Sequence, residues 1–343
     1  MLRHPFQYKS IASILFGAFF CLCTSACSEE PSTPEWSESQ SKNESRETQR
    51  EQTTPRHQGT NPRTNKQADA SPQVRFISYN LKNYLSMPRY VSGKQITTQK
   101  PASEIQALIS ILADQQPDIL GICEIGTDDD LTDFQTKLRR AGVDLPHSRR
   151  GYGADRRRSL AILSRFPIVA WKLPEKTNYK LNGRTFSISR GILDTTIQLP
   201  GKQFRMVGVH LKSKRPVEDA DQESMRRNES MLLRQHLENI IKQSPKTNLI
   251  VYGDFNDTKA SRSIYSIRGR PNSPDHMQLL DLADANGHRW THYWKREDVY
   301  SRFDYIMANE AAMMWIDRKQ SCILSPRNWL EASDHRPISV IIR

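Results

Sequence analysis

The amino-acid sequence predicts an α/β fold, a four-layer sandwich in which two packed mixed β-sheets are flanked by helices. Three observations lead there. From residue 74 onward, short apolar runs of buried-strand type alternate with segments whose apolar residues recur at helical spacing. No Gly/Pro/Ser-rich linker and no internal repeat interrupts the alternation, so residues 74–343 read as one domain. The chain of 343 residues is 36% hydrophobic and 26% charged, a balance that suits a soluble globular protein and excludes a polytopic membrane protein.

Val74 to Tyr79 reads as the first strand, ending at Asn80. After Pro101, Ile105, Leu108, Ile109 and Leu112 share a helical face, and Ile119 to Cys123 is a continuous apolar run typical of a buried strand. Leu131, Phe134, Leu138 and Ala141 mark a second helix, opened by Asp128 to Asp130 and closed by Gly142. Leu160 to Leu163, Phe186 to Ile188, Ile192 to Ile197 and Phe204 to His210 follow as strands, with Asn182-Gly183 as a hairpin turn. The longest helix runs from Glu218 to Lys242. Asn248 to Tyr252, Phe303 to Ala308 and Ile338 to Ile342 complete a set of about ten strands.

The N-terminus has the layout of a secretory signal. Arg3, His4 and Lys9 precede a largely apolar run from Ile11 to Leu22, and small residues lead to Cys27. As a helix that run rises about 18 Å, short of the roughly 30 Å hydrocarbon core, which favours cleavage over a permanent span. Thr24-Ser25-Ala26-Cys27 resembles the lipobox of bacterial lipoproteins, whose Cys is lipidated, although Thr24 stands where Leu is preferred. Residues 1–27 are therefore expected to be a lipoprotein-type signal, with simple secretion as the alternative and an uncleaved anchor third. Residues 28–73 are polar, with Trp36 as their one aromatic, and cannot bury enough surface to offset chain entropy. They are expected to form a disordered tether with a mean reach of about 35–40 Å. Localisation follows: periplasmic or outer-surface if Cys27 is lipidated, otherwise secreted, in either case as a monomer. Cys123 and Cys322 remain in the domain as two buried free thiols.

The net charge of +12 belongs to the domain, because residues 74–343 hold 42 bases against 30 acids. Partners are therefore polyanions such as nucleic acid, phosphorylated small molecules or anionic lipid. Acids, amides and histidines punctuate the strand ends: Asn80, Glu124, His210, Asp254, Asn256, Asp304 and Asp334-His335. Each alone reads as a turn, a cap or a structural histidine. Together they predict convergence at one sheet edge.

Read in order, Ile77-Ser78-Tyr79-Asn80-Leu81, Ile122-Cys123-Glu124, Val209-His210-Leu211-Lys212-Ser213, Gly253-Asp254-Phe255-Asn256-Asp257, Ser301-Arg302-Phe303-Asp304-Tyr305-Ile306 and Ser333-Asp334-His335-Arg336-Pro337 resemble the endonuclease/exonuclease/phosphatase superfamily. That superfamily includes deoxyribonucleases of the pancreatic type, abasic-site endonucleases, neutral sphingomyelinases and inositol polyphosphate 5-phosphatases. Cys123 replaces the usual Gln and Phe303 the usual Ile, both at expected buried strand positions. The resemblance implies a metal-dependent phosphoesterase. Asn80, Glu124 and Asp334 would hold Mg²⁺, with Mn²⁺ as the alternative, since hard oxygen donors suit these ions and no soft cluster argues for zinc. Asp254 would orient or deprotonate the attacking water, Asn256 would hold a phosphate oxygen, and Asp304 would pair with His335, acting as a cation or as a base. His210, a residue of the deoxyribonuclease-like and sphingomyelinase-like members, would protonate the leaving oxygen or bind phosphate.

Lys212 and Lys214 flank His210 and, with Arg226 and Arg227 of the long helix, are candidate contacts to substrate phosphate. Arg149, Arg150 and Arg156 to Arg158 add further basic residues near the motifs, and the run Arg156 to Arg158 reads as a solvated face. Trp290, Tyr293 and Trp294 read as core, with base stacking or lipid contact as the alternative. The leading expectation is an endonuclease on DNA or RNA. Hydrolysis of phospholipid or inositol phosphate stands second, since no long apolar hairpin for bilayer insertion is evident. A non-catalytic nucleic-acid-binding lipoprotein stands third, disfavoured because the full set of catalytic residue types is present.

Overall fold

The computed structural model describes residues 73–218 and 220–343. The signal, Cys27 and the tether up to residue 72 lie outside the described residues.

In chain order the domain runs β1 (Val74–Tyr84), β2 (Met87–Val91), β3 (Lys94–Thr98), α1 (Ala102–Gln115), β4 (Ile119–Ile125), α2 (Asp128–Arg140), β5 (His147–Gly151), β6 (Ser159–Ser164) and β7 (Ile168–Lys172). It continues through β8 (Asn178–Leu181), β9 (Arg184–Ser187), β10 (Ile192–Leu199), β11 (Lys202–His210), α3 (Gln222–Gln243), β12 (Asn248–Asp254) and α4 (Arg262–Arg268). It ends with β13 (Gln278–Leu279), β14 (His292–Trp294), β15 (Val299–Ser301), β16 (Asp304–Ala308), α5 (Glu310–Met313), β17 (Ile316–Ile323), α6 (Trp329–Ala332) and β18 (Ile338–Ile342).

Two six-stranded mixed sheets form, in the orders β17-β18-β1-β4-β6-β5 and β13-β16-β12-β11-β10-β7. Alternation along each strand decides what it packs against. Phe76 faces the second sheet while Ile77 faces the helices, so one apolar layer with Phe76, Ile162, Met206, Tyr252 and Val340 fills the space between sheets. A second layer joins the first sheet to α1 and α2 through Ile77, Leu108, Leu112 and Phe134. A third joins the second sheet to α3 and α4 through Val207, Val251, Leu233, Leu237 and Ile264. This is the expected four-layer sandwich. Its two sheets are keyed together by Tyr252, whose ring occupies the space above Gly121. A Cβ on that glycine would lie 2.1 Å from the ring, and Phe76 meets the same ring edge-on at 4.9 Å.

Local boundaries follow cap chemistry. Helix α2 starts after Thr127, which forms a reciprocal capping box with Asp130. Helix α3 begins at Gln222 rather than Glu218, because the Asp221 carboxylate accepts the Ser224 N–H and fixes the first turn there. Asn182 and Gly183 turn the β8–β9 hairpin with φ of 51° and 75°, the left-handed pair a two-residue hairpin requires. Several strands exceed the expected set. Edge strands β5 and β17 carry polar residues, and the hairpins β2–β3, β8–β9 and β14–β15 lie outside the main sheets, so none has a buried apolar run. The two free thiols are as expected, but Cys322 is only half-buried because β17 is an edge strand. Phe303 is likewise half-buried and precedes β16 rather than lying in it.

Candidate active site

One end of the sandwich collects the polar residues, through a mixture of strand directions. Asn80, Glu124, His210 and Asp254 arrive at or near the C-terminal ends of β1, β4, β11 and β12. Asp304 and Asp334-His335 instead stand at the beginnings of β16 and β18, which run antiparallel to β12 and β1. Antiparallel pairing brings strand starts beside strand ends, so all of them reach the same edge.

In the first sheet, β1 and β4 depart from regular pairing where they enter the site. Lys82 and Asn83 take φ of 50° and 58°, and Glu124 takes 66°. A left-handed residue with a side chain costs on the order of 1–3 kcal/mol. Local bonds hold these positions: the Asn80 side-chain oxygen accepts the Lys82 N–H at 3.0 Å, and Glu124 Oε2 accepts the Asn83 N–H at 2.9 Å. The Ser333 hydroxyl donates to the Asn80 carbonyl at 2.8 Å, which ties the segment bearing Asp334 to β1.

In the second sheet, His210 pairs in register with Asp254, and Asp254 with Asp304. Gly253 permits this approach at φ 132°, since a Cβ there would sit 2.0 Å from the Val209 carbonyl. The buried Asp254 carboxylate is the hub. Its Oδ2 accepts from the side-chain amides of Asn80 at 3.1 Å and Asn256 at 3.2 Å, and lies 3.5 Å from His210 Nε2 and 3.8 Å from His335 Nε2. Its Oδ1 accepts the Asn256 N–H at 2.8 Å. His335 Nδ1 lies 2.7 Å from Asp304 Oδ2. Glu124 Oε1 is 3.9 Å from His210 Nε2.

These surroundings divide the two histidines. Burial opposes charge on His335, yet the carboxylates of Asp304 and Asp254 and the hydrogen bond to Asp304 outweigh it, pushing the imidazole up to about 10. Burial together with the positive charges of Arg190, His335 and Arg158 holds His210 well below its ordinary value. Burial also raises Asp254, against the opposing pull of His335. The site therefore sets an imidazole of raised proton affinity and one of lowered proton affinity on either side of Asp254, whose own carboxyl is raised to about 7.

The donors fit a hard divalent cation. Asn80, Glu124 and Asp334 offer oxygen only, and the neighbouring Cys123 thiol turns into the core, 3.5 Å from the Val209 carbonyl. Asp254, Asp304 and His335 also present ligand atoms within 4.8 Å of one another. That trio is a poorer cage, because a protonated His335 bonded to Asp304 has no lone pair to give.

Of the expected phosphate contacts, Lys214 is exposed near the site, 3.4 Å from Asp257 and over the Phe303 ring. Lys212 is buried. Arg226 departs from its expected role: it points inward, donating to Asp257 at 3.0 Å and to the Lys212 carbonyl at 3.1 Å, and ties α3 to the site's framework. Arg227 is exposed in a depression shared with Arg262, Tyr265 and Arg270, which includes none of the site residues. Arg158 is no solvated surface charge either, for it donates to Asn83 at 2.8 Å and to Asp155 at 3.2 Å. Trp290 and Tyr293 join Tyr300 and Trp329 in an aromatic cluster, with the Arg336 guanidinium 3.5 Å from the Trp290 ring centre, whereas Trp294 is exposed.

Two residues beside His335 and Asp304 carry no motif in the sequence. His292 bridges backbone to His335 and its ring centre lies 4.7 Å from that of His335. The preceding Thr291 hydroxyl accepts the N–H groups of Phe303 and Asp304. Their only signal was Thr-His between two aromatics, which resembles an ordinary surface hairpin.

A carboxylate hub flanked by imidazoles of raised and lowered proton affinity, beside hard oxygen donors, defines a site built for phosphate-ester hydrolysis. The model of the Endonuclease/Exonuclease/phosphatase family matches residues 77–335, and the chain belongs to that family of metal-dependent phosphoesterases. No curated protein matches the sequence. Solved structures share the fold. An endonuclease/exonuclease/phosphatase protein from Bacteroides vulgatus is similar at TM-score 0.55 and 13% identity, covering 79% of this chain and 99% of that one. The human Nocturnin catalytic domain is similar at 0.54 and 20% identity, covering 79% and 94%. Sphingomyelinase C from Streptomyces griseocarneus is similar at 0.53 and 13% identity, covering 80% and 100%.

Proposed function

We propose that this chain is an exported, monomeric phosphodiesterase that hydrolyses nucleic acid with Mg²⁺ or Mn²⁺ held by Asn80, Glu124 and Asp334. With an ion held there, Lewis-acid stabilisation of charge on the phosphate and the leaving oxygen would be available. Asp254 orients the attacking water and accepts its proton, a task suited to a buried carboxylate with raised proton affinity. Asn256 keeps Asp254 in place, its side-chain amide donating to Asp254 at 3.2 Å and to the Leu211 carbonyl at 3.0 Å, and exchanges the second bond for a phosphate oxygen when substrate binds. Asp304 holds His335 as a cation, so His335 binds phosphate rather than acting as a base. His210, held neutral, serves phosphate binding rather than proton delivery. Export, and a lipid anchor at Cys27, rest on the pattern of residues 1–27.

The observation that carries the substrate class is the charge of residues 74–343, with 42 bases against 30 acids. An extended polyanion gains most from such a surface. The test is activity of the full chain on double-stranded DNA, single-stranded DNA, RNA, sphingomyelin vesicles and inositol phosphates, each with Mg²⁺ and with chelator. Binding to duplex DNA is expected to weaken steeply with salt, and Lys214→Ala to reduce the logarithmic slope by about one, equally on unrelated sequences. No DNA binding at low salt would refute the nucleic-acid reading.

A second reading, hydrolysis of phospholipid or inositol phosphate, gains support from two hairpins. Short as they are, β2–β3 exposes Tyr90, Val91 and Ile96, and β14–β15 exposes Trp294, Val299 and Tyr300, which gives the rim some apolar surface without a long apolar hairpin. Cleavage of sphingomyelin vesicles without cleavage of DNA favours this reading.

A further inference from the structure

Arg190 stands between β9 and β10, only 8% exposed, and its Nε and Nη1 have no hydrogen-bond partner among the described residues. Such a state is costly, because a guanidinium keeps its proton and each unsatisfied buried donor retains its desolvation penalty. The nearest carboxylate, Asp155, is 3.8 Å from Nε, beyond hydrogen-bond reach. Asp155 is moreover engaged by the Arg157 N–H at 3.0 Å and by Arg158 at 3.2 Å. Glu229, the other acid nearby, accepts the N–H groups of Ser189 at 2.8 Å and Lys212 at 2.6 Å. Three cations, Arg158, Arg190 and Lys212, thus share two acids, each of whose oxygens already accepts one hydrogen bond from another group.

The surrounding backbone is built to hold this arrangement. Ala154 and Asp155 donate their N–H groups to the carbonyls of Ile188 and Ser189, zipping the loop before Arg158 to the loop bearing Arg190. Gly153 and Gly191 allow the two backbones to touch, since a Cβ on either would approach main-chain atoms to within 2.3–2.5 Å. The cluster lies beside the catalytic set: Lys212 follows His210 by two residues, and Arg158 is bonded to Asn83, whose N–H holds Glu124.

We propose that Arg190, with Arg158 and Lys212, forms a subsite for a second phosphate of the substrate, next to the phosphate that is hydrolysed. The inference rests on the phosphodiesterase reading and sharpens its substrate class. A polynucleotide places another anion near the scissile one, and planar N–H donors of arginine match phosphate oxygens. A phosphocholine ester places a quaternary ammonium there, which three cations repel. The subsite therefore favours nucleic acid over choline lipids.

The test is calorimetric binding to the full chain in chelator, so that no metal and no turnover enters the readout. The probes are thymidine 3′,5′-bisphosphate, thymidine 5′-monophosphate and phosphocholine. The bisphosphate is expected to bind about tenfold or more tightly than the monophosphate, with phosphocholine weakest. Arg190→Gln should erase the advantage of the bisphosphate and Arg190→Lys should retain part of it, with folding checked by circular dichroism. If Arg190→Gln does not fold, Arg158→Gln, at a more exposed position, is read in the same way and should at least halve the advantage. Equal affinity of the wild-type chain for bisphosphate and monophosphate overturns the proposal, as does an advantage that survives the Gln variant intact. A chain that cleaves DNA yet shows no bisphosphate preference removes the subsite alone. A chain that discriminates the ligands but hydrolyses no phosphodiester with Mg²⁺ keeps the subsite and removes the catalytic reading.

Discussion

Replacing Asp304 by Asn tests the charge state assigned to His335. The imidazole titrates near 10 instead of its ordinary 6.5 because Asp304 lies 2.7 Å from Nδ1 and Asp254 lies 3.8 Å from Nε2, in a site dry enough for both to act strongly. A raised histidine contributes stability that is complete below about 6.5 and is lost as pH rises through about 10. Asp304→Asn keeps the shape of the side chain but removes the nearest charge, and one neighbouring opposite charge is worth about 1–3 pH units. The His335 midpoint should therefore fall to between about 7 and 9, still above the ordinary value because Asp254 remains. The assay is titration of the imidazole C–H resonances, with His335 assigned by the signal missing from His335→Gln. The alkaline limb of kcat/KM should move down by the same interval, as the proposed role of His335 as a phosphate-binding cation requires. An unchanged midpoint in Asp304→Asn, or a wild-type midpoint near 6.5, would refute the reasoning.

Three further outcomes follow from the geometry. Glu124→Gln should weaken activation by Mg²⁺ by about tenfold or more while leaving the melting temperature close to wild type, and full wild-type activity in excess chelator would remove the metal site. Asp254→Asn should lower kcat by about 10²–10⁴-fold with little change in KM, because orienting and deprotonating water matters in the transition state; a change in KM alone contradicts the assignment. Asp284 accepts from the buried Arg336 at 2.7 Å, and the Arg336 hydrogen bond and two backbone N–H groups overcome burial to hold its carboxyl down at about 2. Its contribution is present above about 3.8 and is lost as pH falls through about 2. Asp284→Asn should cost about 3–5 kcal/mol in neutral denaturant unfolding and flatten the pH dependence over that acid window.

The parts of the molecule legible in the sequence are those whose signal is local. Ile119 to Cys123 and Leu249 to Tyr252 announce buried strands by composition, and the polar residues that follow them mark the site. Strand β5, His-Ser-Arg-Arg-Gly, could not be read that way, because one hydrogen-bonded neighbour at a sheet edge suffices to form it. Arg226 and Arg158 carried the wrong expectation for a related reason. Charge in a sequence is visible, whereas the carboxylates that turn a side chain inward, Asp257 and Asp155, are supplied by distant turns of the fold. His292 and Arg190 were missed because their neighbours exist only after folding.

The Tyr252 key between the sheets has a further consequence. Asn80 and Glu124 belong to one sheet and His210, Asp254 and Asp304 to the other, so the working geometry is an alignment across the sandwich's seam. A ring lodged above Gly121 resists sliding along that seam, and it does so from within the dry interior. The peripheral hairpins can thus change in length and composition without disturbing the alignment. Divergence in substrate and constancy in chemistry become separable, the first written at the rim and the second in the packing between sheets.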